Sequence, residues 1–320
     1  MRLDEFVLDD SEKITLALRS LYQHNGYTRF RMEKFEKYDL YARNKDFLIS
    51  PNVITFTNTD GELMALKPDV TLSVIKYLRD DPETLQKLCY NENVYRVSKG
   101  TGSFREIMQV GLECVGRVDT QCIGEVLLLA AKSLDLCASS YVLEISHLDI
   151  LTRLLDDAVS DPKLRGAALK CIAEKNVSGA AEACRAAGAD AEHTDALLAL
   201  MKLYGPAAQV MPELRALCAP KGLAAELDVL ESALAVLRED GFADRVTLDF
   251  SSFSNMNYYN GILFKGFVEG LPECVLTGGQ YDKLMRKMGR TSRAIGFAVY
   301  LDRLERLGST NNGGVVFQNA

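Results

Sequence analysis

The sequence predicts an α+β fold in which helices flank an antiparallel sheet and a helical insertion interrupts the chain. Strand-like segments occur on both sides of a stretch that is rich in alanine and leucine. Amphipathic helical segments occur near both ends of the 320-residue chain. We therefore expect a core formed by residues 1–150 and 241–310, an insertion at 151–240 and a flexible tail at 311–320.

The first predicted element is an amphipathic helix at residues 10–25. Apolar side chains recur there at the spacing of one helix face: Ile14, Ala17, Leu18, Leu21 and Tyr22. Asp10 can accept hydrogen bonds from the free N–H groups at the helix start, and Gly26 can end the helix.

Residues 53–67 are typical of a β-hairpin, because strand-like segments flank the turn-forming pair Asp60-Gly61. Pro68 ends the second strand, and residues 70–79 are expected to be helical. The elements expected next are two strands within 93–116 around a glycine-rich turn at 99–102, a helix at 123–137 and a strand at 141–147.

Helix-ending signals divide the insertion, at Gly205-Pro206 and at residues 220–222, and indicate several short helices. The elements expected after it are strands at 246–251, 261–268 and 274–279 and a final amphipathic helix at 294–307.

Charge and composition exclude no function, but they disfavour several. The chain has 44 acidic and 37 basic residues, and it lacks the Lys/Arg runs that usually accompany tRNA binding. Its eight cysteines form no CxxC pair and its three histidines are dispersed, so we expect neither a metal nor another cofactor. Without a signal peptide or a membrane-spanning apolar run, a cytoplasmic location is expected, with no membrane partner.

The segment 94–116 places Gln109, Gly111 and Glu113 on one face of a predicted strand. Because Gly111 has no side chain, a small ligand could lie there between an amide and a carboxylate. The alternative is an ordinary solvated strand face with an incidental glycine.

Three further segments contain polar or aromatic side chains near strand ends. In 66–72, Asp69 can accept hydrogen bonds from an amine, or it can simply cap the next helix. In 255–264, one of the adjacent tyrosines Tyr258 and Tyr259 should face the sheet surface and the other the core, and either ring could serve packing alone. In 276–284, two glycines allow a close backbone approach beside Tyr281.

Together these segments resemble the class II synthetase core, specifically the histidyl-tRNA synthetase family. YRVSKGTGSFREIMQVGLE is similar to its motif 2 and following strand, LKPDVT to LRPEGT, MNYYNG to RGLDYYNG, GGQYDKL to GGRYDGL, and AIGFAVYLDRL to motif 3. The resemblance covers about residues 10–307 in the same order. It implies a histidine pocket formed by Asp69, Thr71, Gln109, Glu113, Tyr258, Tyr259 and Tyr281.

The sequence also departs from the synthetase pattern at positions that serve ATP. Ser254 stands where RGLDYYNG begins with an arginine, and Tyr300 stands where motif 3 has a glycine that leaves room for ATP. Two residues after Arg96, motif 2 normally has an adenine-recognising glutamate, but this chain has Ser98. Glu33 replaces the motif 1 proline, and no anticodon-binding domain is expected after motif 3.

A histidine pocket without ATP and tRNA features resembles the synthetase-like regulatory subunits that partner a short-form ATP phosphoribosyltransferase. The resemblance implies a subunit that catalyses nothing itself, is needed for activity of its partner, and conveys inhibition by L-histidine. It also implies a homodimer within a hetero-oligomer and no tRNA ligand. The alternatives are a histidine-binding module with another partner and a truncated synthetase-like enzyme that makes an adenylate.

Overall fold

The computed structural model describes residues 8–48, 52–98, 100–253, 256 and 258–309. Its strands are β1 (Thr28–Arg29), β2 (Phe35–Lys37), β3 (Thr55–Thr57), β4 (Leu63–Leu66), β5 (Gln86–Val97), β6 (Phe104–Gly116), β7 (Tyr141–His147), β8 (Tyr204–Pro206), β9 (Val246–Asp249), β10 (Asn260–Val268), β11 (Leu276–Gln280) and β12 (Arg293–Tyr300). Nine of them form a central sheet in the order β1-β5-β6-β12-β11-β10-β7-β9-β8. Only the pairs β1–β5 and β7–β9 of this sheet are parallel among the described residues, which confirms the predicted α+β class.

Helices cover the sheet and build most of the segment between β7 and β9. They are α1 (Asp10–His24), α2 (Tyr38–Ala42), α3 (Thr71–Tyr77), α4 (Thr120–Cys137), α5 (Leu148–Ala158), α6 (Pro162–Ala173), α7 (Val177–Ala186), α8 (Ala191–Lys202), α9 (Ala207–Cys218), α10 (Ala224–Glu239), α11 (Asp282–Lys287) and α12 (Leu301–Ser309). Helix α1 is capped by Asp9 rather than by the predicted Asp10. Asp9 is the cap because Glu12, three residues later, forms a reciprocal capping box with it.

The segment after β7 contains six helices in the described chain, α5 to α10, but it is not purely helical. Where the sequence indicated only a helix end, Tyr204 to Pro206 form strand β8, which pairs with β9 at the edge of the central sheet. Helix α10 packs against α4, where Gly124 has no room for a side chain because Val236 lies too close.

A separate three-stranded sheet, in the order β2-β4-β3, contains the hairpin predicted at 53–67. Gly61 in its turn has φ of 81°, a left-handed conformation that favours glycine. The hairpin leads directly into α3, so the predicted strand-to-helix junction at Pro68 is present.

The helix predicted at 294–307 is wrong in its first half. Residues 293–300 form strand β12 between β6 and β11, and helix α12 begins only at Leu301. A central strand that is covered on both faces is a continuous apolar run, and periodicity cannot distinguish such a run from a buried helix.

Lys99, Ser254 and the tail predicted at 311–320 lie outside the described residues. Within the described chain, no helix is both long and apolar enough to cross a membrane. The same residues contain no group of three or more His, Cys, Asp or Glu side chains arranged to hold a metal ion.

Candidate binding site

A cavity of about 440 Å³ lies against one face of the central sheet. Alternate residues of β6 face either this cavity or the apolar core on the other side, as the period of a strand requires. The structure brings together all the predicted site residues in the cavity wall: Asp69, Thr71, Gln109, Glu113, Tyr258, Tyr259 and Tyr281.

Glu113 lies in this wall with both of its carboxyl oxygens hydrogen-bonded. Its Oε1 accepts a hydrogen bond of 2.8 Å from Thr71 Oγ1, and its Oε2 accepts one of 2.6 Å from Tyr281 OH. Burial raises the pKa of Glu113 to about 8. The Glu113 carboxyl therefore keeps its proton near neutral pH, and a positively charged or N–H-donating ligand would favour the ionised form.

Gly296 leaves the space in which Glu113 lies. A Cβ atom at this position would meet Glu113 Oε2 at 1.8 Å and the Leu112 carbonyl oxygen at 2.5 Å. The strand pairing explains this contact, because Gly296 in β12 lies directly opposite Glu113 in β6. Gly296, in the segment that resembles motif 3, is thus part of the site.

Gly111 does not form the open floor that the sequence suggested. Tyr90, which is opposite Gly111 in β5, lies over it, and a Cβ atom on Gly111 would be 2.6 Å from Tyr90 OH. The Tyr90 hydroxyl donates to the carbonyl of Phe297 at 3.3 Å. Tyr90 is therefore a cavity residue that the sequence analysis missed, since only the strand register reveals it.

Asp69 caps the start of the next helix, which is one of the two roles that the sequence left open. Its Oδ1 accepts a hydrogen bond of 3.0 Å from the Leu72 backbone N–H at the start of α3, and the residue also lines the cavity. Burial raises the pKa of Asp69, although the helix-start N–H groups and Arg96 oppose this. The helix start thus positions a buried carboxyl at the cavity.

Both adjacent tyrosines line the cavity, and Tyr258, the more buried of the two, also packs in an apolar core cluster with Phe47 and Tyr281. Tyr258 and Tyr259 lie in a turn before β10 rather than in the strand, so strand alternation does not apply to them. Their ring centroids are 4.5 Å apart, and Tyr258 is 6.0 Å from the Tyr281 ring. The three rings form one aromatic wall.

We call the part of the cavity around Asp69, Thr71, Glu113 and Tyr281 the carboxylate end. The cation end is formed by Lys265, Thr277, Tyr300 and Arg303.

Tyr300, which stands where motif 3 has a glycine, lies at the cation end. Its hydroxyl hydrogen-bonds to Thr277 Oγ1 at 2.8 Å, and the Arg303 guanidinium lies 4.3 Å from its ring centroid. Arg303 also donates to the carbonyl of Cys274 and lies 3.4 Å from a carboxylate oxygen of Glu273. The Tyr300 ring and the Arg303 guanidinium therefore contact each other, and both residues also bind neighbouring side chains or carbonyls.

The chain matches the family model described as histidyl-tRNA synthetase over residues 7–304. It is also 31% identical over 296 residues to the ATP phosphoribosyltransferase regulatory subunit of Anaeromyxobacter sp. (strain Fw109-5), covering 91% of this chain and 86% of that protein.

Two solved structures share the fold. One is described as an ATP phosphoribosyltransferase regulatory subunit/histidyl-tRNA synthetase from Bacillus halodurans C, with a TM-score of 0.80, 24% identity, and coverage of 96% of this chain and 81% of that one. The other belongs to the ATP phosphoribosyl transferase (HisG:HisZ) complex from Thermotoga maritima, with a TM-score of 0.70, 20% identity, and coverage of 91% and 97%.

Proposed function

Because this chain belongs to the histidyl-tRNA synthetase family and, within it, to the ATP phosphoribosyltransferase regulatory subunits, we propose that it is the regulatory subunit of a short-form ATP phosphoribosyltransferase in histidine biosynthesis. Its partner is the catalytic subunit, which needs it for activity. It makes no adenylate itself, and it conveys inhibition by L-histidine. The observation that carries the ligand assignment is the buried carboxyl of Glu113 between Thr71 and Tyr281.

The chemistry of the carboxylate end matches the hydrogen-bond donors of histidine. Glu113 can accept from an imidazole N–H, and Asp69 can receive the α-ammonium group. The aromatic wall of Tyr258, Tyr259 and Tyr281 can enclose the ring of the ligand. Two buried carboxyls with raised pKa values favour a ligand that brings positive charge and N–H donors.

The cation end supports a role without catalysis. Tyr300 and Arg303 pack on each other, and Arg303 is held by Cys274 and Glu273. An arginine that is already paired and covered by a ring is poorly placed to stabilise the phosphate charge that develops during adenylate formation. This arrangement favours a regulatory subunit over a truncated synthetase.

The decisive experiment mixes this protein with a short-form catalytic subunit and measures phosphoribosyl transfer with and without L-histidine. We expect transfer to depend on this protein and to be inhibited by histidine. The Glu113→Ala variant should still assemble with the catalytic subunit on gel filtration but lose the histidine response. Glu182→Ala, which removes an exposed carboxylate on α7, is the matched control and should keep it.

Two results would contradict the proposal. If the catalytic subunit is equally active alone, this protein is not its regulatory subunit. If Glu113→Ala no longer binds histidine alone while the complex is still fully inhibited by it, the histidine sensor lies elsewhere and the site assignment fails.

A further inference from the structure

The cation end contains a lysine whose charge has no carboxylate partner within salt-bridge distance in the part of the chain that the structure describes. Lys265 lies in β10 directly opposite Thr277 in β11, and both line the cavity. The Lys265 ammonium donates a hydrogen bond of 3.0 Å to Ser252 Oγ. A hydroxyl is a neutral acceptor, so this bond orients the ammonium without cancelling its charge.

Glu144 is the nearest carboxyl by strand register, since it pairs with Lys265 across β7 and β10. It shares Ser252 as a hydrogen-bond partner. Ser252 thus hydrogen-bonds to both side chains, and Glu144 and Lys265 also attract each other electrostatically. Lys265 retains donors for a ligand, because an ammonium has three and only one is directed at Ser252.

The other two cations of the cavity are less available. Arg303 is paired with Glu273 and covered by the Tyr300 ring. Arg96 donates its Nε to the Pro68 carbonyl at 3.1 Å and acts electrostatically on Asp69, so it belongs to the carboxylate end. Lys265 is therefore the cation best placed to meet a negatively charged group of the ligand.

The sheet geometry gives the distance that a ligand must span. Strand β10, with Lys265, is three strands from β6, with Glu113, in the order β6-β12-β11-β10. At about 4.8 Å per strand these backbones are about 14 Å apart. Glu113 and Lys265 both line the cavity of about 440 Å³, so a ligand of amino-acid size can lie between them.

We propose that Lys265 binds the α-carboxylate of the amino acid in this cavity and thereby determines its preference for free amino acids over ligands without a carboxylate. This inference rests on the proposed histidine pocket and deepens it. The ligand then lies between opposite charges. Its imidazole and ammonium groups face the carboxylate end, and its carboxylate meets Lys265.

The test compares L-histidine with L-histidinol, which keeps the ammonium and imidazole groups but has an alcohol in place of the carboxylate. Calorimetry should show that the wild-type protein binds histidine about ten- to a hundredfold more tightly than histidinol, as expected for one charge-assisted hydrogen bond. In Lys265→Met that preference should disappear, because histidine binding weakens while histidinol binding changes by less than about threefold. Lys265→Arg should keep most of the preference.

Two further variants make the result specific. Lys175→Met removes a lysine that pairs with Asp249 at 2.8 Å outside the cavity, and it should leave the preference intact. If Lys265→Met does not fold, as judged by thermal unfolding, Lys265→Gln retains a donor to Ser252 without the charge and should also lose the preference.

The outcomes separate the two proposals. If the wild-type protein binds histidine but Lys265→Met or Lys265→Gln keeps the preference, or weakens both ligands equally, the role of Lys265 is refuted and the histidine pocket stands. Loss of the preference in Arg96→Met, with no loss in the Lys265 variants, would assign the carboxylate to Arg96 instead. If the wild-type protein binds neither compound, the histidine pocket is refuted and this inference with it.

Discussion

The two ends of one cavity differ in how their polar groups are satisfied. At the carboxylate end, Glu113 is buried with two neutral hydroxyl partners, Thr71 and Tyr281, and no Lys, Arg or His side chain of the described residues lies within salt-bridge distance of it. At the cation end, Arg303 is already bound by an aromatic ring, a carboxylate and a carbonyl oxygen. A buried carboxyl without a countercharge favours a ligand that supplies one, whereas a paired arginine does not.

The two ends also differ in how they relate to the family pattern. Four residues that match the synthetase signatures, Asp69, Thr71, Glu113 and Tyr281, meet at the carboxylate end. The residue that departs from motif 3, Tyr300, lines the cation end together with Lys265 and Arg303.

The largest effect is expected for Gly296→Ala. The added methyl group would meet a Glu113 oxygen at 1.8 Å and a backbone oxygen at 2.5 Å, and the backbone cannot yield as a side chain can. Overpacking of this kind costs about 1–3 kcal/mol or more, and the displaced carboxyl should abolish histidine binding. Denaturant unfolding and calorimetry measure the two effects.

Gly166→Ala is the matched control for this variant, because nothing lies within 4 Å of its added methyl group in α6. It should stabilise the protein by up to about 1 kcal/mol, since alanine favours helices over glycine. Wild-type histidine affinity in Gly296→Ala would show that the Glu113 position does not matter for the ligand.

A smaller effect is expected in the pH dependence of stability. Folding raises the pKa of Glu113 from 4.5 to about 8, so the folded protein holds this proton more tightly than the unfolded chain. The stabilising contribution is fully present below pH 4.5 and is lost as the pH rises through about 8, with a slope of at most about 1.4 kcal/mol per pH unit. Glu113→Gln should flatten this decline.

Between pH 6.5 and 8, the pH dependence of stability contains the contribution of Glu113 but not that of His147. Burial lowers the pKa of His147 from 6.5 to about 4, so its contribution is lost as the pH falls below 6.5, which is the opposite direction. Urea unfolding of the ligand-free protein at several pH values checks both slopes. Parallel curves for the wild type and Glu113→Gln above pH 6.5 would show that Glu113 is ionised in the folded protein.

The smallest effect is expected for Tyr300→Gly, which restores the motif 3 glycine. It removes the hydrogen bond to Thr277 and the ring under Arg303, and it enlarges the cation end. We nevertheless expect no histidine-dependent ATP–pyrophosphate exchange above background, because Ser98 and Ser254 also depart from the synthetase pattern. Measurable exchange in the variant would show that Tyr300 alone excludes the reaction.

Much of the fold and of the site could be predicted because local patterns report local structure. The hairpin at 53–67 and the strand at 141–147 are confirmed, since turn residues and apolar runs mark them directly. Gln109 and Glu113 face one side because a strand has a period of two. Ordered motif matches then supplied the family and the residues of the cavity wall.

The remaining features depend on which distant segments pack together, and no local pattern contains that information. The partners of β12 in the sheet decided that 293–300 is a strand, and the register of β5 placed Tyr90 over Gly111. The raised pKa of Glu113 follows from burial among residues far apart in the chain, with Thr71 and Tyr281 beside it. Lys265 became a candidate ligand residue only when the sheet order set it across the cavity from Glu113, since charge neutralisation and desolvation are properties of three-dimensional neighbours.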